Sequence, residues 1–264
     1  MLVIEDRWEN ITNAIRAAVH LIASFGFSME NLTSNNVIIP IAYYLQTIGI
    51  PTNYSVSKTY AVDRILVKKW LVATLLKRVF SFAPDGALKP IREIIKSNPN
   101  SFPLDKIAQH FRGGNRNLVF NNDEIDDLLY TKYGQGNLLV IMSILYPWAD
   151  LKNNFHIDHI YPKSLFTKVK LKTFGVSADD IDKYIENVNY IGNLQLLESI
   201  PNSEKKNKPF EEWLKETYKD SASLSNYKQK QLIPDIQPTF ENFLAFLEAR
   251  EVLIKEQIAK ELEF

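Results

Sequence analysis

Apolar residues recur at spacings of three and four through most long segments of this chain, and only nine glycines are spread over its 264 residues. That period is the turn of an α-helix, so the fold class this sequence predicts is mostly α. Residues 6–24 place Ile11, Ile15, Ala18, Val19 and Ile22 on one face, with Gly26 as a stop. Residues 36–48 are apolar nearly all round, which predicts a short buried helix with Pro40 in its first turn or at a kink. The run 60–82 repeats Val62, Ile65, Leu66, Trp70, Ala73, Leu76 and Phe80 and predicts a long amphipathic helix. Shorter helices are expected at 86–97, 103–110, 121–130 and 136–147, and another over 240–262 behind Pro238.

The texture changes once, between residues 153 and 220. Phe155, Ile157 and Ile160 alternate with His156, Asp158 and His159 in a strand-like run that ends at Pro162. A second strand-like run, 188–197, contains Gly192 and Asn193. Asn202 then opens a polar stretch, and Pro209 stands before Phe210, Trp213 and Leu214, where a helix should start. Between the two runs, Lys168, Lys170 and Lys172 alternate as in a strand, and residues 178–187 predict a small helix with Asp179, Asp180 and Asp182 in its first turn. The order is strand, insertion, strand, helix.

Composition narrows the chemistry. Lysine plus arginine and aspartate plus glutamate both number 31, so any contact with nucleic acid must be local rather than a bulk polycationic coat. Without cysteine there is no disulfide framework, thiolate zinc site or cysteine nucleophile, and the chain fits a reducing compartment. Glu5, Asp6 and Glu9 interrupt the N-terminus before any apolar run forms, unlike an export signal. The longest apolar stretch, 138–146, is about half the length that crosses a bilayer. A soluble, cytoplasmic protein with no membrane partner is expected.

The chemistry is concentrated in Phe155-His156-Ile157-Asp158-His159-Ile160-Tyr161-Pro162, Ile191-Gly192-Asn193-Leu194, and the stretch from Pro201 to Phe210. A carboxylate beside an imidazole suits phosphodiester hydrolysis: Asp158 can hold a hard divalent cation while neutral His159 takes a proton from water. Asn202 offers the cation a second oxygen. One carboxylate and one amide leave room for several waters and a phosphate oxygen, as a catalytic magnesium site requires. Asp158 and His159, as strand neighbours, diverge before approaching a phosphate from different sides. Lys205, Lys206 and Lys208 flank Asn202, and Lys205 or Lys206 is expected to contact substrate phosphate. His156 and His159 form a His-x-x-His pair that zinc could use, but partners for it are lacking. His156 is therefore assigned as a substrate-side or structural residue, and Asn207 is given the same assignment. For Asn202 and Asn193 the structural alternatives are a helix N-cap and a turn residue. Trp70, Trp148 and Trp213 read as core, and His20 and His110 receive no role.

Asp158, His159, Ile160, Tyr161 and Pro162 match the first half of the motif of HNH, or His-Me finger, nucleases, and the segment resembles that family. The resemblance implies a ββα-metal finger embedded in a helical domain, with Mg²⁺ or Mn²⁺ as cofactor. In it His159 is the general base, Asp158 and Asn202 bind the metal, and Asn193 braces the loop that orients the histidine. Asn193 and Asn202 are nine residues apart, similar to the spacing in the HNH domain of RNA-guided DNA nucleases. A closer resemblance, through Ile191-Gly192-Asn193-Leu194-Gln195-Leu196-Leu197, Asn202, and Asn207-Lys208-Pro209-Phe210-Glu211-Glu212, is to the C-terminal nuclease domain of GmrSD-like type IV restriction enzymes. Phe246-Leu247-Glu248-Ala249-Arg250 and Lys69-Trp70 resemble that domain's helical surroundings.

This resemblance implies an endonuclease that hydrolyses DNA, including modified phage DNA, as the effector of a restriction or antiviral defence system. Its usual N-terminal partner, a ParB-like nucleotide-binding domain, has no counterpart in this chain, which is expected to correspond to the C-terminal part of such a protein. The expected organisation is a helical domain at 1–150, a nuclease finger at 151–220, and a C-terminal helical segment at 221–264 packing on the helical domain. Two other readings fit the residues. One is a non-catalytic DNA-binding or interaction module that keeps the finger as scaffold; the other is an RNA-cleaving toxin nuclease.

Overall fold

A computed structural model describes residues 5–28, 31–151 and 155–263. Its internal packing divides the chain into two units, one of residues 1–120, 150–152 and 261–264, the other of residues 121–149 and 153–260.

The first unit is built from α1 (Trp8–Ser24), α2 (Ile38–Thr47), α3 (Ala61–Leu76), α4 (Asp85–Lys96) and α5 (Leu104–Phe111). A 3₁₀ turn at Asn35–Val37 leads into α2, so Pro40 falls in the first turn, where its missing N–H removes no helical bond. α3 stops at Leu76, short of the expected end, because the chain turns at Arg78 with a left-handed φ of 52°. Its buried side is Val67, Trp70, Leu71 and Thr74, spaced by three and four, whereas Val62 and Ile65, expected on that stripe, are exposed. Asp63 is tied in place by hydrogen bonds from the Tyr44 hydroxyl (2.5 Å), the Tyr54 hydroxyl (2.6 Å) and the Phe102 N–H (2.7 Å).

The second unit begins with α6 (Asn122–Leu129), which opens on a reciprocal capping box between Asn121 and Glu124, and α7 (Leu138–Leu145). Then come β1 (Phe155–His159), α8 (Lys168–Thr173), α9 (Ile181–Asn187), β2 (Leu194–Glu198), α10 (Ser199–Lys205), α11 (Phe210–Thr217), α12 (Ser221–Lys230) and α13 (Phe243–Leu262). The expected boundary at residue 151 adjoins residues 152–154, including Asn153, which lie outside the described residues. The lysines at 168, 170 and 172 stand on a helix rather than a strand. The Thr167 hydroxyl accepts the Lys170 N–H and caps that helix, a local signal that outweighs the alternation. α10 begins at Ser199, so Asn202, expected to open a polar stretch, lies inside the helix.

β1 and β2 pair antiparallel with Phe155 opposite Glu198, Asp158 opposite Gln195 and His159 opposite Leu194. α10 follows β2 without a loop and packs on both strands. Beneath them, Tyr161 is fully buried at the centre of an aromatic core. Its ring lies 5.4 Å from Phe210, 5.6 Å from Phe240, 5.2 Å from Phe243 and 5.1 Å from Phe246. The last three come from the chain around α13, so residues 243–260 belong to the same unit as the strands. Burial pushes the Tyr161 phenol well above its usual pKa, and its hydroxyl has no hydrogen-bond partner among the described residues. Tyr161→Phe removes that stranded donor while keeping the ring. It should raise thermal stability by about 1 kcal/mol, the order of an unsatisfied buried group; a lower melting temperature would show that the hydroxyl is paired in solution.

Arg250, on α13, is completely buried without a carboxylate partner among the described ion pairs. Its guanidinium donates to the carbonyls of Leu232 (3.1 Å), Gly192 (2.8 Å), Ile191 (3.3 Å) and Gln231 (3.0 Å), and to the Tyr146 hydroxyl (3.0 Å). Gly192 allows this approach: a Cβ there would lie 3.1 Å from Leu247 Cδ2, tighter than ordinary contact. Among the described residues, no helix is long and apolar enough to cross a membrane.

Candidate active site

The last two residues of β1 are the candidate pair Asp158 and His159, and strand alternation sends their side chains to opposite faces. The face shared by His156 and Asp158 meets α10: His156 Nε2 is 3.1 Å from the Ser199 hydroxyl, and Asp158 Oδ2 is 2.8 Å from Lys205 Nζ. Thus His156 and His159 point apart, and the His-x-x-His spacing does not build a zinc pair. No group of three or more His, Cys, Asp or Glu side chains that could hold a metal occurs among the described residues.

Asp158 is held from two sides. Gln195, directly across the sheet, donates its Nε2 to Asp158 Oδ2 at 3.0 Å, and its own Oε1 accepts the Tyr227 hydroxyl at 2.7 Å. Burial keeps the Tyr227 phenol far above its usual pKa, so it stays a donor and fixes which end of the Gln195 amide faces the carboxylate. Lys205, expected at substrate phosphate, is instead fully buried, with Nζ donating to Asp158 Oδ2 and to the His159 carbonyl at 2.5 Å. Burial pulls its pKa down, and Asp158 pulls it back up. The physical reason for the difference is its helix phase: Lys205 is on the strand-facing side of α10, where only a carboxylate neighbour can offset its charge. Both contacts take Oδ2; Asp158 Oδ1 has no hydrogen-bond partner among the described residues.

Asn202 is three residues before Lys205 and therefore shares its face of α10. It is not the N-cap: the helix starts at Ser199, with Glu198 at the cap position. Its side-chain amide has no hydrogen-bond partner among the described residues. Lys206, the next residue beyond the helix, adopts a left-handed φ of 47° and is exposed. Asn207 is also exposed and accepts the Ser164 hydroxyl at 2.9 Å.

His159 lies on the other face. Its Nε2 is 3.1 Å from Asn189 Oδ1, and its ring lies 4.9 Å from that of Tyr133, tilted by 38°. Burial lowers its pKa below the ordinary histidine value, opposed by the Asn189 hydrogen bond and the Asp158 charge, so the neutral imidazole is favoured near pH 7. The loop beyond it is braced by Asn193, which is fully buried. Asn193 Oδ1 accepts the Tyr161 N–H at 2.9 Å, while its Nδ2 donates to the carbonyls of Tyr161 (3.0 Å) and Val188 (2.9 Å). Its carbonyl also accepts the Ile160 N–H at 2.8 Å. The structure thus gathers Asp158, His159, Asn193 and Lys205, with Asn202 on the adjoining helix face, and leaves Lys206 and Asn207 at the surface.

Four contributors escape the motif reading. Gln195 stands between Leu194 and Leu196 as the buried polar residue of an otherwise apolar run, with Glu198 exposed at the strand's end. Lys163, exposed and close enough to oppose protonation of His159, sits directly after the motif's proline. Asn189 and Tyr133 carry no local signal, because each is brought to His159 only by the fold.

Residues 115–241, just under half of the chain, match the family described as GmrSD restriction endonucleases, C-terminal domain. The matched stretch contains both strands and α10, and it ends before α13. No curated protein matches the chain.

Proposed function

We propose, from the likeness of residues 115–241 to the C-terminal domain of GmrSD restriction endonucleases, that this chain is a metal-dependent HNH-type endonuclease of a restriction or anti-phage defence system, hydrolysing DNA phosphodiester bonds. The observation that carries the reading is the junction of β1 with α10. There, a carboxylate of β1 with a free oxygen meets an amide on the adjoining face of α10, and the next residue of β1 carries a largely neutral imidazole on the strand's other face.

The donor set fits Mg²⁺ or Mn²⁺. Asp158 Oδ1 and the Asn202 amide oxygen are hard ligands, and neither is taken by another side chain among the described residues. The ion would supply Lewis-acid stabilisation of charge on the phosphate and on the leaving oxygen. His159 accepts the proton of the attacking water as that water's oxygen bonds to phosphorus. Asn193 fixes the turn after His159, so that the base cannot swing away from β1. Lys205 and Gln195 immobilise Asp158 through Oδ2 and leave Oδ1 for the ion. In this reading the exposed Lys206 and Lys163 hold substrate phosphates.

Supercoiled plasmid incubated with the chain and Mg²⁺ or Mn²⁺ should be nicked, and nicking should vanish with chelator or in Asp158→Ala. If neither unmodified nor modified DNA were cut by a chain that demonstrably binds the metal, the reading would be lost. Faster cleavage of RNA than DNA in parallel reactions would move the substrate assignment.

A further inference from the structure

A neutral imidazole accepts a proton only through the nitrogen that carries none, so the partner of one nitrogen decides the use of the other. For His159, Nε2 faces Asn189 Oδ1 at 3.1 Å. An amide oxygen has no proton to give, and the contact is therefore a hydrogen bond only when Nε2 carries hydrogen and donates it. Nδ1 has no hydrogen-bond partner among the described residues.

The acceptor is itself held. The Asn189 carbonyl accepts the Tyr133 N–H at 2.8 Å, and Thr131 accepts the Ile191 N–H at 2.8 Å. These bonds flank an antiparallel bridge between Lys132 and Tyr190. Lys132 Nζ also lies 4.4 Å over the Tyr190 ring. The same bridge carries the Tyr133 ring to within 4.9 Å of the imidazole, so one small strap supplies both an oxygen acceptor and a wall against ring rotation.

We infer that Asn189 is a positioning residue that fixes His159 as its Nε2–H tautomer and presents Nδ1 as the proton acceptor, with Tyr133 limiting the ring's rotation. This rests on the reading of His159 as a general base. In the step itself, a water O–H bond breaks and an Nδ1–H bond forms. The water oxygen bonds to phosphorus, and the P–O bond to the leaving oxygen breaks. The imidazolium so formed keeps its Nε2–H on the Asn189 oxygen, which is suited to a positive ring.

The test is a long-range ¹H–¹⁵N correlation spectrum of the uniformly ¹⁵N-labelled chain at a pH where the imidazoles are neutral. Four histidines are few enough for His159 to be assigned by the signal missing in His159→Gln. Wild type and Asn189→Asp, which keeps an oxygen acceptor, should show the Nε2–H tautomer; Asn189→Ala should show a mixture. Plasmid nicking by Asn189→Ala should fall about 10- to 100-fold in kcat with KM unchanged, a fraction of what a positioned base contributes, and Asn189→Asp should recover most of it. An Nδ1–H tautomer in wild type, or a tautomer unmoved in Asn189→Ala, would overturn the inference. If wild type cleaves nothing, the base assignment fails, and the spectra alone decide whether Asn189 sets the ring.

Discussion

His159→Ala should slow plasmid nicking by about 10²- to 10⁴-fold, the contribution of a well-placed general base. The fold should survive, because what His159 gives the architecture is main chain: its carbonyl accepts Lys205 Nζ, and its backbone pairs with Leu194. Far-UV circular dichroism and the melting temperature should therefore stay near wild type while initial rates collapse. A variant that nicked at the wild-type rate would remove His159 from the mechanism. A variant that lost activity only by unfolding would fail the spectroscopic control.

The largest stability effect should come from Arg250→Leu. The guanidinium reaches four carbonyls and one hydroxyl in a fully buried position, and leucine leaves those oxygens with neither protein nor water to satisfy them. Each such group costs about 1–3 kcal/mol in isolation, and because neighbours relax together the sum should be about 3–5 kcal/mol. Urea denaturation would read this as a lower midpoint. Arg250→Lys should recover only part of the loss, since a three-donor ammonium cannot match a planar fork of five N–H groups. A loss below about 1 kcal/mol in Arg250→Leu would mean that water replaces the guanidinium and that the buried cage is looser than its geometry.

Much of the helical framework is legible in the sequence because apolar periodicity and start signals agree, as in α1, α4 and α6. Where they part, local chemistry decides. The threonine cap turns the alternating lysines of α8 into a helix, and the left-handed turn at Arg78 stops α3. The residues gathered at the end of β1 are legible through the order of Asp158, His159, Asn193 and Asn202 along the chain. What one sequence cannot display is phase. Whether Lys205 faces solvent or strand depends on where α10 begins, and a shift of one residue would rotate it by about 100°. The strap of Asn189 and Tyr133 is equally hidden, since its pairing joins segments more than fifty residues apart.

α13 lies beyond the stretch shared with the GmrSD domain, yet Phe243 and Phe246 pack on Tyr161 and Arg250 grips the turn that delivers Asn193. The span that matches the family and the span that packs as one unit are thus different lengths. A fragment cut at residue 241 would expose one side of its aromatic core and release the turn behind the candidate site. A transplantable module has to run through Ile258, the last fully buried residue of that helix.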